Sequence, residues 1–145
     1  RVLDVGCGIG GPTRELKCKE IIGFDAWDYA EIYPHKFQLR DILNLQDVPD
    51  KSFNVVIAID LIEHLRKEDG LKLLLEAERI AKKYVFFFTP IIWSENRDAV
   101  ENPRWWSYGN SYNYHKSLWT EQEFIDRGYQ IIPYPKYVFA VKEIK

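Results

Sequence analysis

The glycine-rich run after the first apolar segment satisfies two ligand-binding spacings at once. Gly6, Gly8 and Gly11 fit G-x-G-x-x-G, the fingerprint of dinucleotide-binding folds. Gly6, Gly8 and Gly10, preceded by Asp4, fit D-x-G-x-G-x-G, a pattern suited to a different nucleoside ligand. Glycines let the backbone approach a ligand without an intervening Cβ, and a helix start behind them offers free N–H groups. The run therefore indicates nucleoside binding, with a bare tight turn as the alternative.

Acidic residues follow the second and fourth apolar segments. Asp25 ends the segment IIGFD, where a carboxylate can accept hydrogen bonds from both ribose hydroxyls of a nucleoside. Dinucleotide folds also place an acid at this point, so Asp25 favours nucleoside binding without selecting the ligand. A solvated Asp at a strand end is the alternative. Asp60, Glu63 and His64 follow the segment FNVVIAI, at the sheet edge where such folds bind their ligands.

Histidine is the candidate for acid–base chemistry. His64 is a candidate general base, because an ordinary imidazole pKa lies near neutrality. A structural or cofactor-shaping role for the pair Glu63–His64 is the alternative. The three histidines, His35, His64 and His115, are scattered, and none has metal-ligand spacing to another His or Cys. The sequence therefore predicts no metal site.

Hydrophobic periodicity predicts the elements that must position these residues. Strands are expected over 1–5, 20–25, 35–41, 53–60 and 84–90. A first helix is expected from Gly11-Pro12 through 17, with Pro at its first position, and a second over 67–83. Strand, glycine loop, helix and strand form a βαβ unit, which implies a right-handed crossover and parallel pairing.

The last third of the chain has a different character. Residues 91–118 show no clean period and hold many aromatic residues, which form either a lid or acceptor wall, or part of the core or a partner interface. Six of the aromatic residues lie within the fifteen residues 105–119, and they are Trp105, Trp106, Tyr108, Tyr112, Tyr114 and Trp119. Thr120 and Glu123 predict a capping box for a helix that closes at Gly128. Two strands with a short Pro-containing turn follow, and they must form an antiparallel hairpin.

Composition limits the class of protein. With 145 residues, the chain has the size of a single domain spanning 1–145. No apolar run approaches the roughly 18 residues of a membrane span, and a net charge of −2 without a basic block argues against nucleic acid as a partner. The two cysteines, Cys7 and Cys18, form no disulfide framework, which favours the cytoplasm. The sequence begins inside a strand without Met, so we expect that preceding residues are missing.

The ordered set of motifs resembles the class I S-adenosylmethionine-dependent methyltransferases. The resemblance rests on VLDVGCGIG (2–10), IIGFD (21–25), LRDI (39–42), FNVVIAIDLIEHL (53–65) and LWTEQEFIDRGY (118–129). It implies an α/β fold: a Rossmann-like, mostly parallel seven-stranded sheet of order 3-2-1-4-5-7-6, with the last strand antiparallel, in a three-layer α/β/α sandwich. Three features depart from the family pattern: the helix before the first strand is missing, the first helix is short, and little room exists for a helix between strands three and four.

The resemblance also implies which residues form the site. Asp41 and Ile42 match the position where the family's third strand meets the adenine, and HKSLWT places His115 near the acceptor. The candidate catalytic residues are then His64 and His115. The residues expected to bind S-adenosyl-L-methionine are Asp4, Gly6, Cys7, Gly8, Gly10, Asp25, Ala26, Asp41, Ile42, Asp60 and Leu61. For Asp4, contact with the ammonium group of the ligand and a structural role in bracing the loop are both open.

Three functions compete at this point. The first is methyl transfer from S-adenosylmethionine to a small-molecule or glycan-like acceptor. The second is a non-catalytic binding module that keeps the nucleoside pocket and works as part of a complex. The third, a nicotinamide-dependent dehydrogenase, is opposed by Asp4, because the strand residues before the first glycine of a dinucleotide fold are usually apolar. The terminal antiparallel hairpin also opposes it.

Overall fold

A computed structural model describes residues 1–145, and its centre is one seven-stranded sheet. The strand order is β3-β2-β1-β4-β5-β7-β6, with β7 antiparallel to both of its neighbours and the other pairs parallel. The predicted α/β class, strand order and terminal hairpin are therefore confirmed. The strands are β1 (Val2–Val5), β2 (Ile21–Asp25), β3 (Lys36–Leu39), β4 (Phe53–Ile59), β5 (Ala81–Pro90), β6 (Gln130–Tyr134) and β7 (Tyr137–Glu143).

The three α-helices all follow β4 in the chain. They are α1 (Lys67–Ile80), α2 (Arg97–Glu101) and α3 (Glu121–Ile125), and one-turn 3-10 helices form at Ile62–His64 and Ser111–Asn113. The predicted capping box of α3 is confirmed: Glu123 N donates to Thr120 Oγ1 at 3.3 Å, and Thr120 N donates to Glu123 Oε2 at 2.9 Å. The connections between β1 and β4 contain turns without helices.

The predicted helix after the glycine run is wrong, because residues 11–15 form only turns. The N–H groups of Thr13 and Arg14 both donate to the carbonyl of Gly10, and that of Leu16 donates to the carbonyl of Thr13, so only the bond from Arg14 has the spacing of an α-helix. Leu16 is the segment's one large apolar side chain, and it is about half exposed. A short segment without an apolar face gains too little from packing to offset the cost of helix nucleation.

The core lies around the central strands and the face of the sheet covered by α1 and α3. Trp119, Phe87 and Phe124 are fully buried there, and Trp119 packs against α1 so closely that a Cβ on Gly70 would lie 2.4 Å from its ring. Parallel backbone pairing aligns β1, β2, β4 and β5, so that their carboxyl ends meet at one edge. Both cysteines are free, and no helix in the chain is long and apolar enough to cross a membrane.

Candidate functional site

A cleft of about 960 Å³ opens at the carboxyl edge of the parallel strands. Its floor consists of the turns that follow β1, β2, β3 and β4. Its outer wall comes from residues 105–119, here called the aromatic segment, and from the β6–β7 turn. The volume falls at the upper end of the range of small-molecule sites, roughly 300–1,000 Å³. The location is where ligands bind in open α/β sheets.

The glycine turn needs glycine at three positions. Gly6, Gly8 and Gly10 have φ of 66°, 49° and 73°, a region that residues with a Cβ rarely adopt. A Cβ at Gly6 would also lie 2.4 Å from the side chain of Leu61. Gly11 has no positive φ, and a Cβ there would meet nothing within 4 Å. The local geometry therefore follows D-x-G-x-G-x-G and not the dinucleotide spacing.

Asp4 supports the glycine turn from the buried side, away from the cleft. Its side chain is buried, and Oδ2 accepts hydrogen bonds from Thr13 Oγ1 at 3.1 Å and from Tyr33 OH at 3.0 Å. Burial raises the pKa of Asp4 to about 6, against the opposing effect of these two hydrogen bonds. Asp4 does not line the cleft, and neither does Gly10. The contacts in the structure are thus those of a support for the turn.

Asp25 ties the end of β2 to the same turn and lines the cleft. Gly8 N donates to Asp25 Oδ2 and Trp27 N donates to Oδ1, both at 2.9 Å. Burial raises the pKa of this carboxyl, and the backbone hydrogen bonds oppose the rise. Each carboxylate oxygen has a second lone pair, so Asp25 keeps acceptor capacity for two hydroxyls of a ligand.

The other predicted cofactor residues also line the cleft, apart from Asp4 and Gly10. Asp41 Oδ1 accepts a hydrogen bond from Leu43 N at 2.9 Å, a turn that positions its neighbour Ile42 in the wall. Asp60 has a φ of 48°, and desolvation raises its pKa. The sequence-predicted residues that the structure brings together in the cleft are Gly6, Cys7, Gly8, Asp25, Ala26, Asp41, Ile42, Asp60, Leu61, His64 and His115.

His64 and His115 meet in the cleft although fifty residues separate them. Their ring centroids lie 4.8 Å apart with the rings edge to face. Burial, more than any neighbouring charge, lowers the pKa of His64 to about 4, and burial also lowers the pKa of His115. Both imidazoles are therefore neutral at pH 7. The near-neutral pKa expected of His64 is not what its surroundings produce, because burial penalises the imidazolium.

Glu63 completes this group, and the sequence had indicated for it only a structural or cofactor-shaping role together with His64. Its side chain is 1% exposed, and Thr89 Oγ1 donates to Oε2 at 2.8 Å. Burial is the main cause that raises the pKa of Glu63 to about 8. A buried carboxyl beside two imidazoles was not visible in the spacing, because His115 reaches the site only through the tertiary fold.

The aromatic segment divides between the core and the cleft. Trp119 is fully buried, and its Nε1 donates to Ser117 Oγ at 2.9 Å. Trp106 is 53% exposed and lies over the glycine turn, within 3.3 Å of a Cβ placed on Gly8. Its ring packs at 5.8 Å from the ring of Tyr29. Part of the segment therefore covers the cleft, while Trp119 serves the core.

Tyr29 is a further cleft residue that the sequence did not single out. Asn110 Nδ2 donates to its hydroxyl at 2.9 Å, which fastens the aromatic segment to the turn after β2. Tyr33, four residues later, reaches back to Asp4. Only their position just after β2 could have indicated these two tyrosines, since a loop carries no periodic pattern.

Comparison with known families identifies the class of protein. A family model described as a methyltransferase domain matches residues 3–89, more than half of the chain. The chain belongs to this methyltransferase family, and its sheet is that of the class I S-adenosylmethionine-dependent methyltransferases.

Two yeast enzymes show the level of similarity to characterised relatives. The sterol 24-C-methyltransferase of Clavispora lusitaniae is 37% identical over 86 residues, which cover 49% of this chain and 23% of that protein. The sterol 24-C-methyltransferase of Saccharomyces cerevisiae is 35% identical over 85 residues, which cover 48% of this chain and 22% of that protein. The match therefore spans less than a quarter of the length of these relatives.

Solved structures share the fold over the whole chain. A SAM-dependent methyltransferase from Archaeoglobus fulgidus has a TM-score of 0.66 at 18% identity and covers 98% of this chain and 85% of its own. The magnesium protoporphyrin IX methyltransferase of Synechocystis PCC 6803 with bound SAM has a TM-score of 0.60 at 14% identity. The match covers 99% of this chain and 69% of that one. At these identities, the likeness concerns the fold alone.

Proposed function

We propose that this chain binds S-adenosylmethionine and transfers its methyl group to a small-molecule or glycan-like acceptor. The observation that carries the proposal is the arrangement of one cleft, in which a glycine turn, a ribose-type carboxylate at Asp25 and a pair of imidazoles face the same space. Family membership supports the reaction, and the SAM-bound structure with the same fold supports the cofactor.

The residues present fit the cofactor by shape. Gly6 and Gly8 line the cleft and leave the backbone of the turn without a side chain there. Asp25 retains lone pairs for the two ribose hydroxyls, and the loop containing Asp41 and Ile42 offers a mixed polar and apolar wall to the adenine. These residues would hold the nucleoside in one orientation, which fixes the direction of the transferable methyl group.

The charge of the cleft also fits. Asp25, Asp41 and Asp60 line its cofactor half. Three carboxyl groups favour a sulfonium cation without phosphate and disfavour the pyrophosphate of a dinucleotide. When bound, S-adenosylmethionine supplies a methyl group attached to a positively charged sulfur. The sulfur is a strong leaving group, because it departs as a neutral thioether. The protein's own part is to position the acceptor in line and to exclude water.

The acceptor half of the cleft lies between the imidazole pair and the aromatic segment. Trp105, Tyr112 and Tyr137 line the cleft, and aromatic side chains suit a ring-bearing or sugar-like molecule. His64 and His115 are neutral at pH 7, and a neutral imidazole accepts a proton or binds a metal ion. The sterol 24-C-methyltransferases, as partial relatives, support a small molecule as acceptor.

Substitution of Asp25 tests the cofactor site. We expect Asp25→Ala to weaken binding of S-adenosylhomocysteine by on the order of 100-fold, since charge-assisted hydrogen bonds are each worth roughly 1.5–3 kcal/mol. Isothermal titration calorimetry measures the affinity, and Asp28→Ala is the control, because Asp28 only caps a turn to Ala30 and does not line the cleft. Unchanged affinity in Asp25→Ala would remove Asp25 from the site.

A transfer assay separates the enzyme from a non-catalytic binding module. Labelled S-adenosylmethionine is incubated with the protein and a panel of sterols, phenols and glycosides. Tight cofactor binding with no labelled product across the panel would favour the module, and labelled product from any acceptor supports the enzyme.

A further inference from the structure

One cluster in the cleft is not needed for cofactor binding, and its donor atoms are those of a metal site. Glu63, His64 and His115 each offer a ligand atom, and these atoms all lie within 4.8 Å of one another. All three residues line the cleft, so the space between them faces the acceptor half.

The fold holds these three residues together through backbone bonds. Glu63 and His64 lie on the 3-10 turn that directly follows β4. The N–H groups of Lys116 and Ser117 donate to the carbonyl of Glu63 at 2.7 and 3.1 Å, which fixes the segment of His115 beside that turn. The cluster is therefore set by main-chain geometry and does not depend on flexible surface side chains.

The ring of His64 is oriented as metal-binding histidines commonly are. His64 Nδ1 lies 3.4 Å from the carbonyl oxygen of Tyr114, and in the tautomer that donates this hydrogen bond Nε2 keeps its lone pair. Metal-binding histidines commonly donate their other N–H to a carbonyl in this way, which fixes ring and tautomer. The ring of His115 stands edge to face with that of His64.

Glu63 lacks a positive partner. None of the salt bridges in the chain includes it, and its side-chain hydrogen-bond donor is the neutral hydroxyl of Thr89. The neighbouring carboxyl of Asp60 has the same sign of charge. A buried carboxylate is costly unless it is paired or coordinates a metal, so a cation between Glu63 and the imidazoles would remove that cost.

We propose that Glu63, His64 and His115 bind one divalent first-row transition-metal ion, such as Zn²⁺ or Mn²⁺, at the acceptor end of the cleft. Two nitrogens and one carboxylate oxygen are a donor set that such ions take, and three protein ligands leave a position open to a further oxygen. Metal–ligand bonds of about 2.0–2.2 Å would bring the donor atoms closer together than the 4.8 Å within which they now lie.

The site narrows the acceptor class, and this part rests on the proposed function. An ion at this place binds an acceptor hydroxyl and lowers its pKa, so that the O–H proton leaves to solvent water. The resulting oxygen forms a bond to the methyl carbon while the carbon–sulfur bond breaks, and the sulfur departs as a neutral thioether. Alcohols and phenols are therefore the acceptors that this cluster favours.

Metal binding is tested on the protein without cofactor or acceptor. The full chain is dialysed against a chelator and titrated with Zn²⁺ and with Mn²⁺ by calorimetry, and Co²⁺ is added as a spectroscopic probe of tetrahedral nitrogen and oxygen ligation. We expect one equivalent to bind, and His115→Ala to weaken binding by about 100-fold or more. His35→Gln is the matched control, because His35 bonds to the carbonyl of Thr13 and lies outside the cleft.

Two further measurements keep the outcomes separate. Glu63→Gln preserves side-chain volume and can still accept from Thr89, so it tests the charge of the ligand without opening a cavity; we expect at least tenfold weaker binding. The affinity of His115→Ala for S-adenosylhomocysteine is also measured, and an affinity equal to that of wild type shows that the cofactor half of the cleft is intact. The metal site is overturned if wild type binds no stoichiometric ion, or if His115→Ala binds it as tightly as wild type. If S-adenosylhomocysteine fails to bind wild type, the proposed function fails independently of the metal titration.

Discussion

Asp4 offers a sharp test of how the glycine turn is supported. Its carboxyl is 4% exposed and accepts two hydroxyl hydrogen bonds through one oxygen. An Asn oxygen can accept the same two bonds from Thr13 and Tyr33 without carrying a charge. Asp4→Asn therefore removes the buried charge while it keeps the contacts. We expect this variant to be more stable than wild type at pH 7.

The size of the expected stability difference between Asp4→Asn and wild type follows from proton linkage. Burial raises the pKa of Asp4 from 3.8 to about 6, so between these values the folded protein binds more protons than the unfolded chain. This group's contribution to stability is then fully present below about pH 4 and is lost as pH rises through 6. Each tenfold change in proton affinity is worth about 1.4 kcal/mol, so the loss is on the order of 3 kcal/mol.

Urea unfolding at pH 4.5, 5.5, 6.5 and 7.5 measures the difference between wild type and Asp4→Asn. Other carboxyls, such as those of Glu63 and Asp25, titrate in both proteins and cancel in that difference. We expect the advantage of the variant to grow from pH 4.5 to 6.5 and then to level off. Asp4→Ala, which leaves the hydroxyls of Thr13 and Tyr33 unpaired, is expected to cost about 1–3 kcal/mol at every pH.

A lower stability of Asp4→Asn than of wild type at pH 7, or a stability difference that does not change with pH, would contradict a destabilising buried charge at Asp4. A second result separates the two roles considered for Asp4. If the variant is stabilised but loses affinity for S-adenosylhomocysteine by tenfold or more, the carboxylate contacts the ligand as well as the turn. Retained affinity supports the bracing role alone.

Two further substitutions test packing and the cleft cover. Gly70→Ala should lower the free energy of unfolding by about 1–3 kcal/mol although alanine has the better helix propensity, because the new Cβ would lie 2.4 Å from buried Trp119. Gly11→Ala is the control, since a Cβ on Gly11 meets nothing within 4 Å. Equal stability of the two variants would contradict the close packing of Trp119 against Gly70. Trp106→Ala should weaken S-adenosylhomocysteine binding about five- to tenfold with little change in melting temperature, since its half-exposed ring covers Gly8. Unaltered affinity would show that the ring is not a cover.

Segments with a hydrophobic period, a helix cap or a turn residue such as proline were predictable from the sequence. The β-branched run of β4, the capping box at Thr120 and the Pro-containing hairpin each carry a local signal, and the structure forms all three. The helix expected after Gly11 failed because its Pro and glycine signals describe a turn as well as a helix start. The deciding factor was the lack of an apolar face, which Leu16 alone does not supply.

The cofactor half of the site was also predictable in large part. Gly6, Gly8, Asp25 and Asp60 lie at strand ends, and parallel strands bring their carboxyl ends to one edge of a sheet. The supporting role of Asp4 was one of two open alternatives. Only the positions of Thr13 and Tyr33 favoured it, since hydrogen-bond partners distant in sequence leave no mark on spacing.

By itself, the sequence determined the α/β class, the order of the sheet through its family resemblance, and the residues at the ends of β1, β2 and β4. These properties depend on local periodicity, turn chemistry and short motifs. The tertiary structure alone decided that His115 meets Glu63 and His64, that Trp106 covers the glycine turn and that Trp119 belongs to the core. The physical reason is that such contacts arise from the folding of a non-periodic segment over the sheet, where burial and long-range hydrogen bonds determine each side chain's surroundings.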